Sequence, residues 1–344
     1  KTKVQGKPGT PITLTIDSDL QFIVTEELKA IMEQHDAKEG SALIINPKTG
    51  EILAMTNIPT FDPNNTDDLV NMEVTKNKIV TEAHELGSVI KACAALAALE
   101  DGAVTLDELI DCENKVTTYV DKRRINTVAQ SVAGIIPFAD VVAKSNNIGI
   151  AKVAKRLDTK IYDYYKKLGF GTKTGIPFPS EQKGLLMHPT QWSKQSIISL
   201  SYGYEISASL LQLARAFSII ANDGYDVKPK LIMDDAHIDY TTSVPLFSLD
   251  STQAIKEIMK KRHANVKGYT LMSKTGTANI LVNGKYDVTK NIFTCAGIVQ
   301  KGDYQRVIVV FINQVAKKNV FAATIAAPLL EKLAKKLMIH DKMI

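Results

Sequence analysis

The chain has 344 residues, 45% of them hydrophobic, and a formal net charge of +5 at pH 7. This length predicts two domains or one large domain with sub-structures, and the apolar content suffices for a large core. The basic residues form no stripe with interleaved aromatic residues, which argues against a nucleic-acid partner.

The chain begins with a polar segment that contains Gly and Pro. Residues 1–12 are interpreted as a linker from a missing N-terminal region, and the alternation over 12–17 predicts a short strand. Ser18 and Gln21 have the spacing of a capping box, which predicts that a helix begins here. The apolar stripe of that helix consists of Leu20, Val24, Leu28 and Ile31.

A hairpin and an apolar helix follow. Strands are predicted over 41–46 and 51–56, joined by a turn at 47–50. A polar surface loop over 60–78 leads to an alanine-rich helix that ends at 101–102. Because this helix has almost no polar face, we expect it to lie in the interior.

The middle of the chain reads as mostly helical. Residues 104–134 are poorly periodic, Pro137 opens a helix that ends at Lys144, and an apolar-periodic helix resumes at Ile148. Further helices are predicted over 161–168, from the capping box of Ser209 and Gln212 to 222–224, and over 250–261.

The last third is rich in strands. Strands are predicted over 270–281, 294–300 and 306–313, with hairpin turns at 283–284 and 301–303 and a closing helix over 322–337. We expect strands from both ends of the chain to share one sheet, with a cleft between the sheet and a helical lobe.

The predicted fold class is therefore α+β, a central antiparallel sheet flanked by helices with a mostly helical lobe. Residues 13–344 form one domain in this prediction. Its sheet-containing lobe comprises 13–87 and 248–344, and its helical lobe comprises 88–247.

Cysteine and histidine show no metal-binding spacing. The three cysteines, Cys93, Cys112 and Cys295, lie far apart in the sequence and are odd in number. The six histidines show no paired spacing typical of metal ligands. These features argue against a disulfide framework and a metal site. No run of ~20 apolar residues is present to span a membrane.

The stretch 85–91 places Ser88 at the first turn of the apolar helix, with Lys91 three residues on. This spacing is nearly one helical turn, so the amine can take the proton of an attacking hydroxyl. Burial disfavours the charged form of a lysine and lowers its pKa. The alternative is an ordinary helical serine with a solvated lysine.

Short patterns of this kind recur in the chain. The Ser-x-x-Lys spacing also occurs at Ser180 and Lys183, where no helix is predicted. Lys-Thr-Gly occurs three times, in the turn at 48–50, in a Gly- and Pro-rich loop at 173–175, and in the predicted strand at 274–276. Only the third copy lies in a strand that follows the other patterns in order.

Three patterns then line up: Ser88-x-x-Lys91, Ser145-x-Asn147 and Lys274-Thr275-Gly276-Thr277. Taken alone, the middle pattern is also read as a plain helix break with a cap. The set is typical of penicillin-binding proteins and serine β-lactamases.

The chain resembles the transpeptidase domain of class B penicillin-binding proteins, of the septal cell-division type, over nearly its whole length. Beyond the three patterns, the resemblance is carried by residues 14–21, 46–55, 61–64, 168–171, 201–212, 221–224 and 268–269. Two departures are Leu86, where many relatives carry proline, and Met272-Ser273, where small residues often occur. Neither departure removes a reacting group, and we expect both to affect cleft width and antibiotic susceptibility.

The resemblance implies a role for each residue. Ser88 is the acylated nucleophile and Lys91 its base, kept neutral by burial and by the nearby charge of Lys274. Ser145 relays a proton between Ser88, a leaving amine and Lys274. Asn147 holds Lys91 or the substrate amide.

The strand residues bind the substrate in this interpretation. Lys274 supplies positive charge near a substrate carboxylate, which Thr275 and Thr277 hydrogen-bond, and Gly276 lets the substrate backbone lie close to the strand edge. The family places the oxyanion hole at two backbone N–H groups, here those of Ser88 and Thr277.

The implied reaction is acyl transfer without a cofactor. A stem peptide that ends in D-Ala-D-Ala acylates the serine, and an amine of a neighbouring peptidoglycan strand takes the acyl group. β-Lactams mimic the first step and stall there. The alternatives are a serine β-lactamase, although no Glu-x-x-Leu-Asn signature is present, a D,D-carboxypeptidase, a β-lactam sensor and a division scaffold.

The resemblance also predicts where the protein works. We expect a missing N-terminal anchor in the cytoplasmic membrane, with the catalytic domain facing the periplasm or the cell exterior. The expected partners are peptidoglycan stem peptides, β-lactam antibiotics, membrane proteins of the division machinery and a glycosyltransferase.

Overall fold

The computed structural model describes residues 9–65, 67, 70–233, 244–263, 266–282, 284–316 and 320–344. Its central sheet consists of β1 (Ala37–Ile45), β2 (Ile52–Ile58), β9 (Thr270–Val282), β10 (Lys285–Lys301) and β11 (Tyr304–Val315). The strands run antiparallel in the order β2-β1-β11-β10-β9. The predicted α+β class, with one sheet built from both ends of the chain, is confirmed.

Six short strands form three separate pairs, β3 with β6, β4 with β5 and β7 with β8. Their bounds are β3 (Leu109–Asp111), β4 (Thr117–Val120), β5 (Arg123–Asn126), β6 (Ile135–Pro137), β7 (Leu185–Leu186) and β8 (Ile206–Ser207).

The helices lie on both faces of the sheet and in the middle of the chain. They are α1 (Ser18–His35), α2 (Lys78–Thr81), α3 (Lys91–Glu100), α4 (Phe138–Ala143), α5 (Asn147–Leu157), α6 (Lys160–Lys167), α7 (Ser196–Ser201), α8 (Leu210–Ala221), α9 (Leu249–Lys260) and α10 (Ala326–His340). Short 3-10 helices lie at Met72–Thr75, Gly87–Ile90, Ala129–Ser131, Pro189–Gln191 and Lys261–His263.

Both faces of the sheet are buried, which explains the uninterrupted apolar run of β11. Ile308 and Val310 pack against α1 and α10 in one core cluster. Val307 and Val309, on the opposite face, belong to a larger cluster that includes α3 and α8. The alternation of side chains along a strand therefore joins two cores through one sheet.

The alanine-rich helix α3 is interior, as its sequence predicts. Every residue from Lys91 to Ala98 is buried, and the helix packs against α5, α6 and α9. Small side chains let these neighbours approach closely. The buried helix begins at Lys91, three residues after the predicted nucleophile Ser88.

The beginning of the chain differs from the prediction. No strand forms over 12–17, where a single bridge joins Leu14 to Ile232. Asp17, and not Ser18, caps α1, because its side chain accepts hydrogen bonds from the first turn. Gln21 cannot complete a capping box, since its amide bonds the main chain of Met55.

Some predictions stay outside these findings. Residues 1–8 of the predicted linker and Asn283 of the predicted hairpin turn lie outside the described residues. The lobe boundaries at 87/88 and 247/248 remain predictions. Among the helices described, none combines the length and the apolar character needed to cross a membrane.

Candidate active site

Ser88 lies in the 3-10 helix Gly87–Ile90, which leads into α3, and not in the first turn of the α-helix as its sequence position predicted. The 3-10 helix continues into α3 without a break, because the backbone N–H of Lys91 donates to the carbonyl of Ser88. Gly87 has φ +57, a left-handed conformation that favours glycine. Ser88 is half-buried, and its hydroxyl makes no hydrogen bond within the described part of the chain.

The turn Gly87–Ile90, which carries the predicted nucleophile and is called the nucleophile turn below, is held by close main-chain contacts. A Cβ on Gly276 would lie 2.4 Å from the Leu86 carbonyl oxygen, and one on Gly203 would lie 2.1 Å from the Gly87 carbonyl oxygen. Both glycines therefore let neighbouring backbone pack directly on this turn. The sequence analysis assigned no role to Gly203, although a glycine between two tyrosines indicates a turn or a close approach of backbone.

Substitution of Gly276 by alanine is expected to slow acylation by a fluorescent penicillin about 100-fold, because the new methyl group displaces the nucleophile turn. The rate is measured by stopped-flow fluorescence. Gly134→Ala is the matched control, since a Cβ at this position meets nothing within 4 Å. An unchanged rate for G276A would contradict the assigned packing.

Lys91 is completely buried and is surrounded by hydrogen-bond acceptors. Its Nζ lies 2.6 Å from the carbonyl oxygen of Ser145, 2.5 Å from Oδ1 of Asn147 and 3.1 Å from Oγ of Ser145. Burial, and secondarily the charge of Lys274, hold its pKa well below the usual value. The predicted direction of this shift is confirmed.

The three contacts have a consistent proton assignment when Lys91 is neutral. A neutral amine has two N–H donors and one lone pair. The two N–H groups are matched by the Ser145 carbonyl and by Asn147 Oδ1, both acceptors. Neither of these acceptors uses the lone pair, and the third contact of the same nitrogen is with Oγ of Ser145, 3.1 Å away.

Lys274 completes this cluster from the edge strand β9. It is 5% exposed, and its Nζ donates to Ser145 Oγ at 3.0 Å and to the Thr275 carbonyl at 3.0 Å. Burial lowers its pKa to about 7, with a further contribution from the charge of Arg262. The hydroxyl of Ser145 thus lies between two buried amines.

The break between α4 and α5 brings Ser145 and Asn147 to the cluster. Ser145 has φ +58, in the sparsely populated left-handed region. Asn146 caps α5 by accepting from the N–H of Gly149 at 2.8 Å. Because the middle residue performs the capping, its two neighbours are available to Lys91.

The amide of Asn147 is oriented by residues that the sequence interpretation missed. Its Nδ2 donates to the carbonyl of Asn126 at 2.5 Å, and its backbone N–H donates to Oγ1 of Thr127 at 3.2 Å. A carbonyl can only accept, so Nδ2 must face Asn126 and Oδ1 must face Lys91. No sequence signal marked these residues, which lie in the poorly periodic segment 104–134.

The remaining substrate-binding candidates lie along β9. Thr275 and Thr277 are half-buried, whereas Gly276 is buried against the nucleophile turn. Oγ1 of Thr277 accepts from the N–H of Ala322 at 3.0 Å, which leaves its own proton available. The backbone of Thr277 lies beside Gly87, where a Cβ would be 2.6 Å from the Thr277 carbonyl oxygen.

A buried Ser–His pair supports the same strand from behind. Oγ of Ser273 lies 2.6 Å from Nε2 of His263, whose Nδ1 is 3.4 Å from Glu331. Burial, together with Arg262, lowers the pKa of His263 to about 4. Ser273 is 3% exposed and therefore inaccessible to a substrate, so the pair ties β9 to its neighbours.

The repeated patterns fall elsewhere and form no site. Ser180 lies in a turn and Lys183 in a loop, while 48–50 is a turn and 173–175 a loop. Across the described ranges, no group of three or more His, Cys, Asp or Glu is placed to hold a metal. The three cysteines are buried free thiols.

Comparison with protein families identifies one match. The family described as "Penicillin binding protein transpeptidase domain" matches residues 40–335. The chain is 29% identical over 343 residues to "Probable peptidoglycan D,D-transpeptidase PenA" of Neisseria meningitidis serogroup A, covering 95% of this chain and 56% of that protein. It is 30% identical over 342 residues to "Peptidoglycan D,D-transpeptidase FtsI" of Buchnera aphidicola subsp. Baizongia pistaciae, covering 95% of this chain and 58% of that protein.

A solved structure is similar throughout the chain. The fold matches penicillin-binding protein 3 of Mycobacterium tuberculosis, complexed with ampicillin, with a TM-score of 0.87 and 27% identity. The match covers 99% of this chain and 81% of that one. The chain spans little more than half the length of the curated relatives. The resemblance drawn from the three sequence patterns is confirmed.

Proposed function

The chain belongs to the penicillin-binding protein transpeptidase family, and from this premise we propose that it is the catalytic domain of a septal peptidoglycan D,D-transpeptidase. Its acyl donors are stem peptides that end in D-Ala-D-Ala, and β-lactams acylate the same serine. The relatives described above, which are named peptidoglycan D,D-transpeptidases, support this proposal.

The observation that carries the proposal is the position of the Ser145 hydroxyl between two buried amines. It lies 3.1 Å from Nζ of Lys91 and 3.0 Å from Nζ of Lys274. Two buried ammonium groups on one hydroxyl repel each other, so the neutral form of at least one amine is favoured. A neutral lysine one helical turn beyond a serine is the base that an acylating serine requires.

Acylation uses this neutral amine. Oγ of Ser88 attacks the carbonyl carbon of the penultimate D-alanine, and its proton passes to Nζ of Lys91. The backbone N–H groups of Ser88 and Thr277 donate to the oxyanion that forms, a contribution of ~3–4 kcal/mol for each donor. The peptide bond breaks as a proton moves through Ser145 to the nitrogen of the departing D-alanine.

Deacylation reverses the proton path. The amine of an acceptor strand attacks the ester carbon and forms the new amide bond, while the ester bond to Oγ of Ser88 breaks. The proton lost by the amine passes through Ser145 and Lys91 to Oγ of Ser88. Lys274 and the hydroxyls of Thr275 and Thr277 bind the donor carboxylate before the first step. The unshared proton of the Thr277 hydroxyl fits this task.

The whole protein is proposed to work at the division septum. We place it in the cytoplasmic membrane through an N-terminal anchor, with this domain facing the periplasm or the cell exterior. Its proposed partners are division-machinery membrane proteins and a glycosyltransferase that supplies the glycan strand. The relative named FtsI supports the division role.

The proposal is tested by offering the purified chain a synthetic donor ending in D-Ala-D-Ala with increasing concentrations of an amine acceptor. Mass spectrometry is expected to show a transfer product that grows with acceptor concentration, while a penicillin adduct is released only over many minutes. Hydrolysis of the donor at a rate that does not depend on acceptor concentration would indicate a D,D-carboxypeptidase. Rapid adduct release would indicate a β-lactamase, an adduct without peptide turnover a sensor, and no adduct a scaffold.

A further inference from the structure

A hydrogen bond between His263 and Ser273 joins the end of α9 to the strand that carries Lys274. His263 is the last residue of the 3-10 helix Lys261–His263, which follows α9. Its Nε2 lies 2.6 Å from Oγ of Ser273, and the two residues are only 7% and 3% exposed. The bond therefore fixes the 3-10 helix against β9 one residue before Lys274.

The serine is the donor in this hydrogen bond. Nδ1 of His263 faces the carboxylate of Glu331 at 3.4 Å, and a carboxylate can only accept. This arrangement favours the tautomer that carries its proton on Nδ1, so that Nε2 accepts from the Ser273 hydroxyl. Burial, and then the charge of Arg262, lowers the pKa of His263 to about 4, so the imidazole keeps this acceptor at neutral pH.

A cation stands next to each member of the bonded pair. Arg262 precedes His263, and Lys274 follows Ser273. The two cations line one cavity of about 220 Å³, which Thr275 also lines. Burial, and then the charge of Arg262, lower the pKa of Lys274, which shows that the two positive charges act on each other.

The charge of Arg262 is not neutralised by a carboxylate within the described part of the chain. Its guanidinium donates to the carbonyl of Ala323 at 3.4 Å. The neighbouring Lys261 differs, because its Nζ donates to Asp140 at 2.7 Å. Since like charges repel, other contacts must hold Arg262 beside Lys274. Without the hydrogen bond at the next residue, we expect the exposed Arg262 to move away.

We propose that His263 and Ser273 are positioning residues for carboxylate recognition, an inference that rests on the proposed function. Their hydrogen bond holds the guanidinium of Arg262 beside Lys274, so that two cations attract the substrate carboxylate that Thr275 binds. Ser273 belongs to Met272-Ser273, one of the two departures from the family pattern. This support for carboxylate binding therefore lies outside the three family patterns.

The test compares the acylation rate of an anionic penicillin with that of the same penicillin esterified at its carboxylate. In Ser273→Ala and in Arg262→Gln, the ratio of the two rates is expected to fall about fivefold, because only the carboxylate responds to the lost charge. Ser41→Ala is the matched control. Ser41 is likewise 3% exposed in a strand of the sheet, and its hydroxyl bonds the side chain of Asn57 at 2.9 Å.

Two variants of the histidine separate positioning from a general effect on the fold. The amide oxygen of His263→Gln reaches the place of Nε2 and accepts from Ser273, so the ratio should stay close to that of the unsubstituted protein. His263→Asn is too short to reach Ser273, and its ratio should fall as in S273A. The double variant S273A/R262Q should lose no more than R262Q alone, because Ser273 acts through Arg262.

An unchanged ratio in R262Q would overturn the inference, as would an unchanged ratio in both S273A and H263N. A loss that is equal for the two penicillins would overturn it too, since it would show a general effect on the active site. If S273A fails to fold, H263N and H263Q decide the matter. Labelling of the unsubstituted protein without these changes in ratio refutes this inference alone, whereas failure of that protein to label refutes the proposed function.

Discussion

Replacement of Ser88 by alanine is expected to abolish covalent labelling by a fluorescent penicillin completely. The acyl-enzyme is an ester of the serine hydroxyl, and a methyl group cannot form it. Ser88 is half-buried in the 3-10 helix that precedes α3, so the loss of its oxygen leaves the surrounding turn in place. Gel fluorescence measures the labelling, and peptide mass spectrometry locates the adduct in the unsubstituted chain.

The chain supplies its own matched control for this experiment. Ser180 has the same Ser-x-x-Lys spacing but lies in a turn, so Ser180→Ala is expected to label like the unsubstituted protein. An adduct found on any residue other than Ser88 would refute the assignment. Persistence of labelling in S88A would refute it equally.

Local sequence patterns predicted a capping box correctly only where both of its hydrogen bonds join residues that are close together in the sequence. Ser209 and Gln212 form the predicted capping box, because both of its bonds join residues three positions apart. The same pattern failed at Ser18, since Gln21 is captured by Met55, 34 positions away along the chain. Propensity and spacing cannot anticipate a competitor that only tertiary structure brings near.

The proximity of the four candidate site residues could be anticipated because they carry chemistry in their side chains. Lys91, Ser145, Asn147 and Lys274 form one network of contacts within 3.1 Å. These contacts join side chains 54 to 129 positions apart along the chain, so only the family pattern could link them in advance. The structure adds the order of contacts, with the Ser145 hydroxyl in the middle.

Two of the supporting residues, Asn126 and Gly203, act through the main chain, so their side chains say little about their role. The carbonyl of Asn126 orients Asn147, and every residue type has a carbonyl. Gly203 has no Cβ, which allows its backbone to pack directly against the Gly87 carbonyl. Asn126 lies in a strand of four residues, Arg123–Asn126, which is too short for its periodicity to be read.

Replacement of Lys91 by methionine is expected to lower the rate of acylation by about 1,000-fold, within the range for loss of a general base. Methionine fills similar space in the fully buried site but cannot accept a proton. Lys183→Met, at the exposed lysine of the second Ser-x-x-Lys pattern, is the matched control. A rate for K91M within tenfold of the unsubstituted protein would show that another group takes the proton of Ser88.

The pH profile of the unsubstituted protein separates a base from a purely electrostatic lysine. A lysine with the ordinary pKa of ~10.4 is only about 0.04% neutral at pH 7. Because burial and Lys274 lower the pKa of Lys91, its neutral form is present far below pH 10, and the rate should rise with pH well before that value. Lys274, with a pKa of about 7, loses its charge above that pH, so acylation by anionic penicillins should weaken there.

A penicillin whose carboxylate is esterified provides the decisive comparison. Without the carboxylate, the charge of Lys274 no longer favours binding, so the alkaline decline should disappear while the acidic limb persists. The acidic limb then reports the base alone, and K91M should remove it. A rate that instead rises only near pH 10, with either penicillin, would mean that Lys91 is charged at neutral pH and cannot activate Ser88.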